Sequence, residues 1–230
     1  AAKIAVGRTL DEIPNAVTGK TVAAFEPALD YIVTKIPRWP FDKFAQGNRT
    51  IGTQMKATGE VMAIDRTFEA SLQKAVRSLE IGRRSLLWED PAWEMLSEVK
   101  DFPLHPHDMR LWAMMAALRR GGSREELHQR TYVDYWFIDK LQNIVDMEVK
   151  LLSEPLTKEL MYQAKRLGFA DEQIGTLADR LPEQVRKQRQ DWNLRPVYKM
   201  VDTCAAEFDA QTPYFYSAYE QENEALPQTG

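Results

Sequence analysis

The chain has 230 residues, of which 44% are hydrophobic and 28% charged, with 30 basic against 34 acidic groups and a net charge of −4. That length suits one large domain or two small ones with a sizeable core, and the composition excludes wholesale disorder. A lone Cys204 excludes a disulfide framework and a Cys-rich zinc site, no apolar run reaches the roughly 18 residues of a membrane span, and the negative balance argues against nucleic acid as the main partner. The opening AAKIAVG lacks a basic region and a long apolar run, so it does not read as a signal peptide.

In chain order, residues 1–7 look like the end of a helix closed by Gly7. Tyr31–Ile36 is β-rich and is expected to stop at Pro37. Glu60–Ile64, a short apolar run after Gly59, predicts a buried strand. Thr67 caps the next helix, with Leu72, Ala75, Val76 and Leu79 on one face and Gly82 just past its end. Two strands and two helices do not complete a layered α/β fold, so the first 80 residues look like the end of something larger.

From residue 81 strand signals almost vanish. Met109–Arg120 reads as an amphipathic helix with Leu111, Met114, Met115 and Leu118 on its stripe and Gly121-Gly122 as its stop. Ser123 and Glu126 form a capping box. Asp134 precedes a helix to Leu152, in which Phe137, Leu141, Ile144, Val145 and Glu148 recur at helical spacing. Helices over 157–167, closed by Gly168, over 171–177 and over 182–191 complete an all-α module of five or six helices. The acidic stretch Tyr219–Glu224 reads as a solvated terminus or linker.

A search for chemistry finds little. Leu104-His-Pro-His-Asp108 holds the one His-x-His, but its prolines hold an irregular loop and no converging ligand set is near in sequence. Cys204 has no His partner in its neighbourhood and reads as structural. Residues 169–189 have a helix-turn-helix rhythm with Arg186, Lys187 and Arg189 on the second helix. Their flanks carry Asp171, Glu172, Asp179, Glu183 and Asp191, which favours a pair of helices that merely packs. The Gly/Thr turns at 17–20, 52–53 and 58–59 lack the spacing of a phosphate loop. By these rules no catalytic, cofactor-binding or metal-binding residue stands out.

The words themselves carry a resemblance. Ala2-Lys-Ile-Ala-Val-Gly7 with Leu10-Asp-Glu12 resembles the helix after the catalytic strand of an ATP-grasp domain. Lys35-Ile-Pro-Arg38, Gln54-Met-Lys56, Gly59-Glu-Val-Met-Ala-Ile64 and Arg66-Thr-Phe-Glu69 are similar to the large chain of carbamoyl-phosphate synthases. So are Trp136-Phe137, Lys165-Arg-Leu-Gly-Phe169, Pro196-Val-Tyr-Lys199 and Val201-Asp-Thr-Cys-Ala-Ala-Glu-Phe208. The similarity runs along essentially the whole chain, and it departs locally at Asp65, where the family pattern has Gly, and over 81–108.

The resemblance implies an α+β, mostly α chain. Residues 1–80 would be the C-terminal part of a carboxyphosphate-forming ATP-grasp domain, 81–195 the helical oligomerisation domain, and 196–230 a connector toward a second ATP-grasp half. It implies a cytoplasmic ligase that uses MgATP (Mg or Mn), with the glutaminase small chain, the rest of the large chain and a further copy as partners, and with neither nucleic acid nor membrane. The nucleotide- and metal-binding residues would lie before Ala1, leaving no ATP site in this piece. Glu60, Met62, Asp202 and Glu207 are the candidate wall of a sheltered path for carbamate, with core packing of Met62 as the plainer reading. The rival reading is a stand-alone helical interaction or helix-turn-helix DNA-binding module.

Overall fold

The computed structural model describes residues 1–16, 18–82, 85–202 and 214–225. Contacts divide the chain into two units, residues 33–195 and residues 1–32 with 196–230. Cys204 and Glu207 lie outside the described residues.

In the larger unit, β1 (Ile32–Arg38) pairs with β2 (Gly59–Asp65) in a two-stranded sheet, with Arg38 beside Gly59, so the end of one strand meets the start of the other. β1 runs through Pro37 instead of stopping before it. Each strand of such a sheet keeps an outer edge, where a residue without an N–H leaves no ladder bond unmade. β2 is not the buried strand that its composition predicts: only Ala63 and Asp65 are buried, while Met62 is 64% exposed. One face of a lone two-stranded sheet has nothing to cover it here, so alternate side chains turn outward. Asp65, the departure from the family pattern, is well housed, because Lys74 Nζ pairs with its carboxylate at 2.5 Å and the Arg66 N–H donates to Oδ1 at 2.7 Å.

α2 (Phe68–Ser78) starts where the Thr67 hydroxyl accepts the Ala70 N–H at 3.2 Å, and its Leu72, Ala75 and Val76, followed by Leu79, are buried as their spacing predicts. α3 (Arg110–Arg119) departs from the amphipathic expectation. Trp112 through Leu118 are seven consecutive buried residues, so the helix is apolar all round and sits at the centre of the unit, as such a helix must. α4 (Arg124–Thr131) opens on the capping box of Ser123 and Glu126, and α5 (Tyr135–Ser153) on Asp134, whose carboxylate accepts the Trp136 N–H at 2.8 Å. α6 (Lys158–Arg166), α7 (Asp171–Leu177) and α8 (Pro182–Asp191) follow at the expected places.

One apolar core joins Leu72, Val76 and Leu79 of α2 to Met115, Ile144 and Met161 of the helices. Residues 33–80 therefore pack with the helical module, and residue 80 marks no break in the contacts. A polar knot reinforces this junction. Gln73 Nε2 donates to Leu167 O and Gln173 Nε2 to Gln73 Oε1, both at 2.8 Å, and Arg77 Nη1 donates to Gly168 O at 2.7 Å. Gly168 has φ +89°, and a Cβ there would stand 2.7 Å from Ala70 Cα, so glycine meets both a left-handed backbone and the closest approach of α2.

The smaller unit holds α1 (Ala2–Ala5), ended by Gly7 at φ +92°, and two strands that the sequence reading missed, β3 (Val197–Met200) and β4 (Phe215–Ala218). They pair antiparallel, Val197 with Ala218 and Met200 with Phe215. The aromatic run Tyr214-Phe-Tyr216 and the β-prone Val197-Tyr198 were the available signal. The acidic tail is not merely solvated: Glu224 accepts Lys199 Nζ at 2.8 Å and the Met200 N–H at 2.6 Å, and Asn223 Oδ1 accepts the Tyr198 N–H at 2.8 Å. These bonds satisfy the outer edge of β3.

Gly168→Ala is expected to lower the unfolding free energy by about 2 kcal/mol or more, from strain plus the clash with α2. Gly121→Ala, also at positive φ but with open space around it, is expected to cost only about 1 kcal/mol. Urea titrations of the two variants followed by circular dichroism check the difference, and equal losses would refute the contact argument.

Candidate functional site

Of the four residues proposed for a channel wall, Glu60 and Met62 stand together on β2, both exposed, with Glu60 paired to Lys35 at 2.9 Å. Core packing does not account for Met62. Asp202 is half-buried in the other unit, where burial first and then the charges of Asp202 and Asp30 push the Tyr31 hydroxyl above its ordinary pKa. The histidines of the 104–108 loop stack at 4.6 Å; His107 Nδ1 lies 3.0 Å from the His105 carbonyl, and Asp108 is held by a two-toothed Arg49. Burial, then the neighbouring His105, holds His107 below the usual imidazole pKa. Among the described residues no group of three or more His, Cys, Asp and Glu converges as a metal site would.

The strongest electrostatic feature was not foreseen as a site. At the end of α3, Arg119 Nε and Nη2 donate to the two oxygens of Glu148 on α5 at 2.6 and 2.8 Å, Nη1 donates to Glu89 at 2.9 Å and Nη2 to Leu86 O at 2.7 Å. Glu148 is buried, and Arg120 holds the other Glu89 oxygen at 2.8 Å. Burial opposes the charge on Arg119, but the paired carboxylates outweigh it and raise its pKa. A carboxylate at a position of the α5 apolar stripe was the signal, since a buried Glu demands a cation.

A second buried group lies at the helix pair once weighed as a DNA reader. Asp171 accepts Lys165 Nζ at 3.0 Å and both Nε and Nη2 of Arg189 at 3.0–3.2 Å. Burial lowers the Lys165 pKa to about 8, with Asp171 opposing it. Arg189 is thus committed inside the pair, joining α8 to the first turn of α7, and only part of the expected cationic face points outward. Likewise Glu69 on α2 accepts Asn143 Nδ2 at 2.8 Å and lies 3.4 Å from Lys140 Nζ of α5.

A cavity of about 520 Å³ opens between the β1 end, the α2 end and the start of α3. Trp39, Phe41, Ile81, Leu111 and Trp112 give it apolar walls, and its two guanidiniums are already matched, Arg38 to Asp42 at 2.8 and 3.0 Å and Arg49 to Asp108. The arrangement is that of a framework. Ionic clamps lock helices together, and no nucleophile in the described residues stands beside an activating base.

Residues 60–193 match the family model described as carbamoyl-phosphate synthetase large chain, oligomerisation domain. The curated relatives include a carbamoyl phosphate synthase large chain of Thermomicrobium roseum, 60% identical over 99% of this chain, and those of Lachnoclostridium phytofermentans and Caldanaerobacter subterraneus, 52% and 54% identical over 97% of it. This chain spans 21% of the length of each of these relatives.

Glu148→Leu leaves Arg119 buried with Glu89 alone and is expected to cost about 3–5 kcal/mol of stability, whereas Arg119→Met with Glu148→Leu together recovers most of that loss. Denaturant unfolding of the two variants measures it; a double variant as weak as the single one would mean that the clamp contributes attraction beyond mutual neutralisation.

Proposed function

Because this chain belongs to the carbamoyl-phosphate synthase large-chain family, in the region of its oligomerisation domain, we propose that it is a segment of a glutamine-dependent carbamoyl-phosphate synthase. That ligase makes carbamoyl phosphate from ATP, bicarbonate and ammonia released from glutamine, in arginine and pyrimidine biosynthesis in the cytoplasm. Here the helices of residues 81–195 are the framework and assembly element of the large chain, packed against residues 33–80. MgATP, with Mg or Mn, is held by ATP-grasp segments outside this chain, and the glutaminase small chain is a partner of the whole. Residues 1–80 belong to the end of the first ATP-grasp half and 196–230 lead toward the second.

The observation that carries the assembly role is the outward face of α5 inside the matched region. Val149 and Leu152, one turn apart, are 56% and 65% exposed on a helix whose other face is locked into the core by Leu141, Ile144 and Glu148. Apolar side chains placed so on a rigid helix suit a contact with a second copy. The channel reading rests on Met62 and Glu60 lying on the uncovered face of β2.

Sedimentation velocity of the chain is expected to show a concentration-dependent dimer, which Leu152→Glu abolishes while leaving the melting temperature within about 2 °C. Unaltered association of that variant would remove α5 as the contact. In the complete large chain Met62→Trp is expected to lower carbamoyl phosphate formed per ATP consumed with both partial ATPase reactions intact. Unchanged coupling would remove the channel role.

A further inference from the structure

A second cavity, of about 460 Å³, lies between the last turn of α2 and α7. Arg77, Leu87, Trp88, Gln173 and Thr176 wall it. Arg77 enters it from α2, held by one nitrogen only: Nη1 donates to Gly168 O at 2.7 Å and reaches Gln173 Oε1 at 3.5 Å. Among the described residues its Nε and Nη2 have no protein partner, and no carboxylate comes within ion-pair distance of it.

This sets Arg77 apart from Arg38, Arg49, Arg119 and Arg189, each of which grips a carboxylate with two nitrogens. Each of those four guanidiniums is neutralised where it sits. The Asp65 carboxylate, which acts on Arg77 at a distance, is taken by Lys74. Arg77 as a residue is exposed, so solvent and a ligand reach its free edge, and the protein packed about the guanidinium lowers its pKa. A guanidinium with its Nε–Nη2 edge open matches the two oxygens of one oxyanion, and the Gly168 bond fixes its orientation beforehand. Beside it Trp88 and Leu87 offer an apolar wall for the body of a ligand. Glu172 lies on the same rim and repels a second negative charge.

We propose that this cavity is a binding site for a small monocarboxylate with a flat apolar body, its carboxylate two-toothed on the Arg77 Nε–Nη2 edge and its body against Trp88. Nothing in the assembly role requires such a site. Occupancy adds a link between α2 and α7, beside the knot of Gln73 and Gln173, and so stabilises the junction between the sheet-bearing and helical parts of the unit.

The test is calorimetric titration of the 230-residue chain with 2-naphthoate, its neutral isostere 2-naphthamide, and acetate. One-to-one binding of 2-naphthoate, at least about tenfold tighter than that of the other two, is expected, since the site needs both charge and body. Arg77→Lys keeps the charge but not the fork, and Thr176→Trp fills the cavity from its exposed wall without touching the Arg77–Gly168 bond. Both are expected to weaken 2-naphthoate at least about tenfold, with the far-ultraviolet dichroism and the melting temperature of Thr176→Trp matching those of the parent. Absence of saturable binding, equal affinity for 2-naphthamide, or undiminished binding by a folded Thr176→Trp variant would each overturn the proposal.

Discussion

The larger unit depends on neutralising one buried cation. α3 is apolar around its whole circumference from Trp112 to Leu118, so it must run through the middle of the unit, and Arg119 arrives at its end with little water. An unpaired guanidinium there would cost several kcal/mol. Glu148 and Glu89 meet it from α5 and from the segment after α2. That requirement sets the rotation of α5 about its own axis: with Glu148 turned inward, Leu141, Ile144 and Val145 follow into the core, and Val149 and Leu152 are left outside. The outward apolar face assigned to assembly is thus the other side of an inward electrostatic demand.

A second constraint joins what the sequence reading divides. α2 follows the strand β2 directly and looks like part of the sheet-bearing region, yet its apolar face belongs to the helical core, and Gln73 and Arg77 bond to the turn after α6. The turn can come so close because Gly168 carries no side chain. The family model also starts on β2, at residue 60. Packing and family model agree that the helical domain takes in this strand and helix, although the strand shares its sheet with β1.

The ionic groups of the unit divide by task. Arg119, Arg189 and Lys165 sit with their carboxylates between helices, where the two-toothed bonds of the arginines and the single bond of Lys165 fix which surfaces meet. Arg77 fixes a turn with one nitrogen and leaves an open edge toward a cavity. The first arrangement supplies rigidity; the second supplies a place where an anion is better matched than water.

How much was legible follows from range. Helix starts were legible because Thr67, Ser123, Asp134 and Thr157 cap helices within three residues of themselves, a local bond that any tertiary setting leaves intact. Family membership was legible too, since words such as Gly59-Glu-Val-Met-Ala-Ile64 need no coordinates. The strands were less so. β1 continues through Pro37 and β2 exposes Met62 because each has a single sheet neighbour, and neighbours are not written in a strand's own residues. The inside-out reading of α3 failed for the same reason: periodicity reports contrast between faces, and a central helix has none. Composition and local patterning by themselves determined a mostly helical chain of this family and most of its helix boundaries. Only the tertiary structure decided that Glu148 clamps Arg119, that residues 33–80 pack with the helices, and that Arg77 alone of the five compared keeps an open edge, because pairing between groups many residues apart exists only once the helices have met.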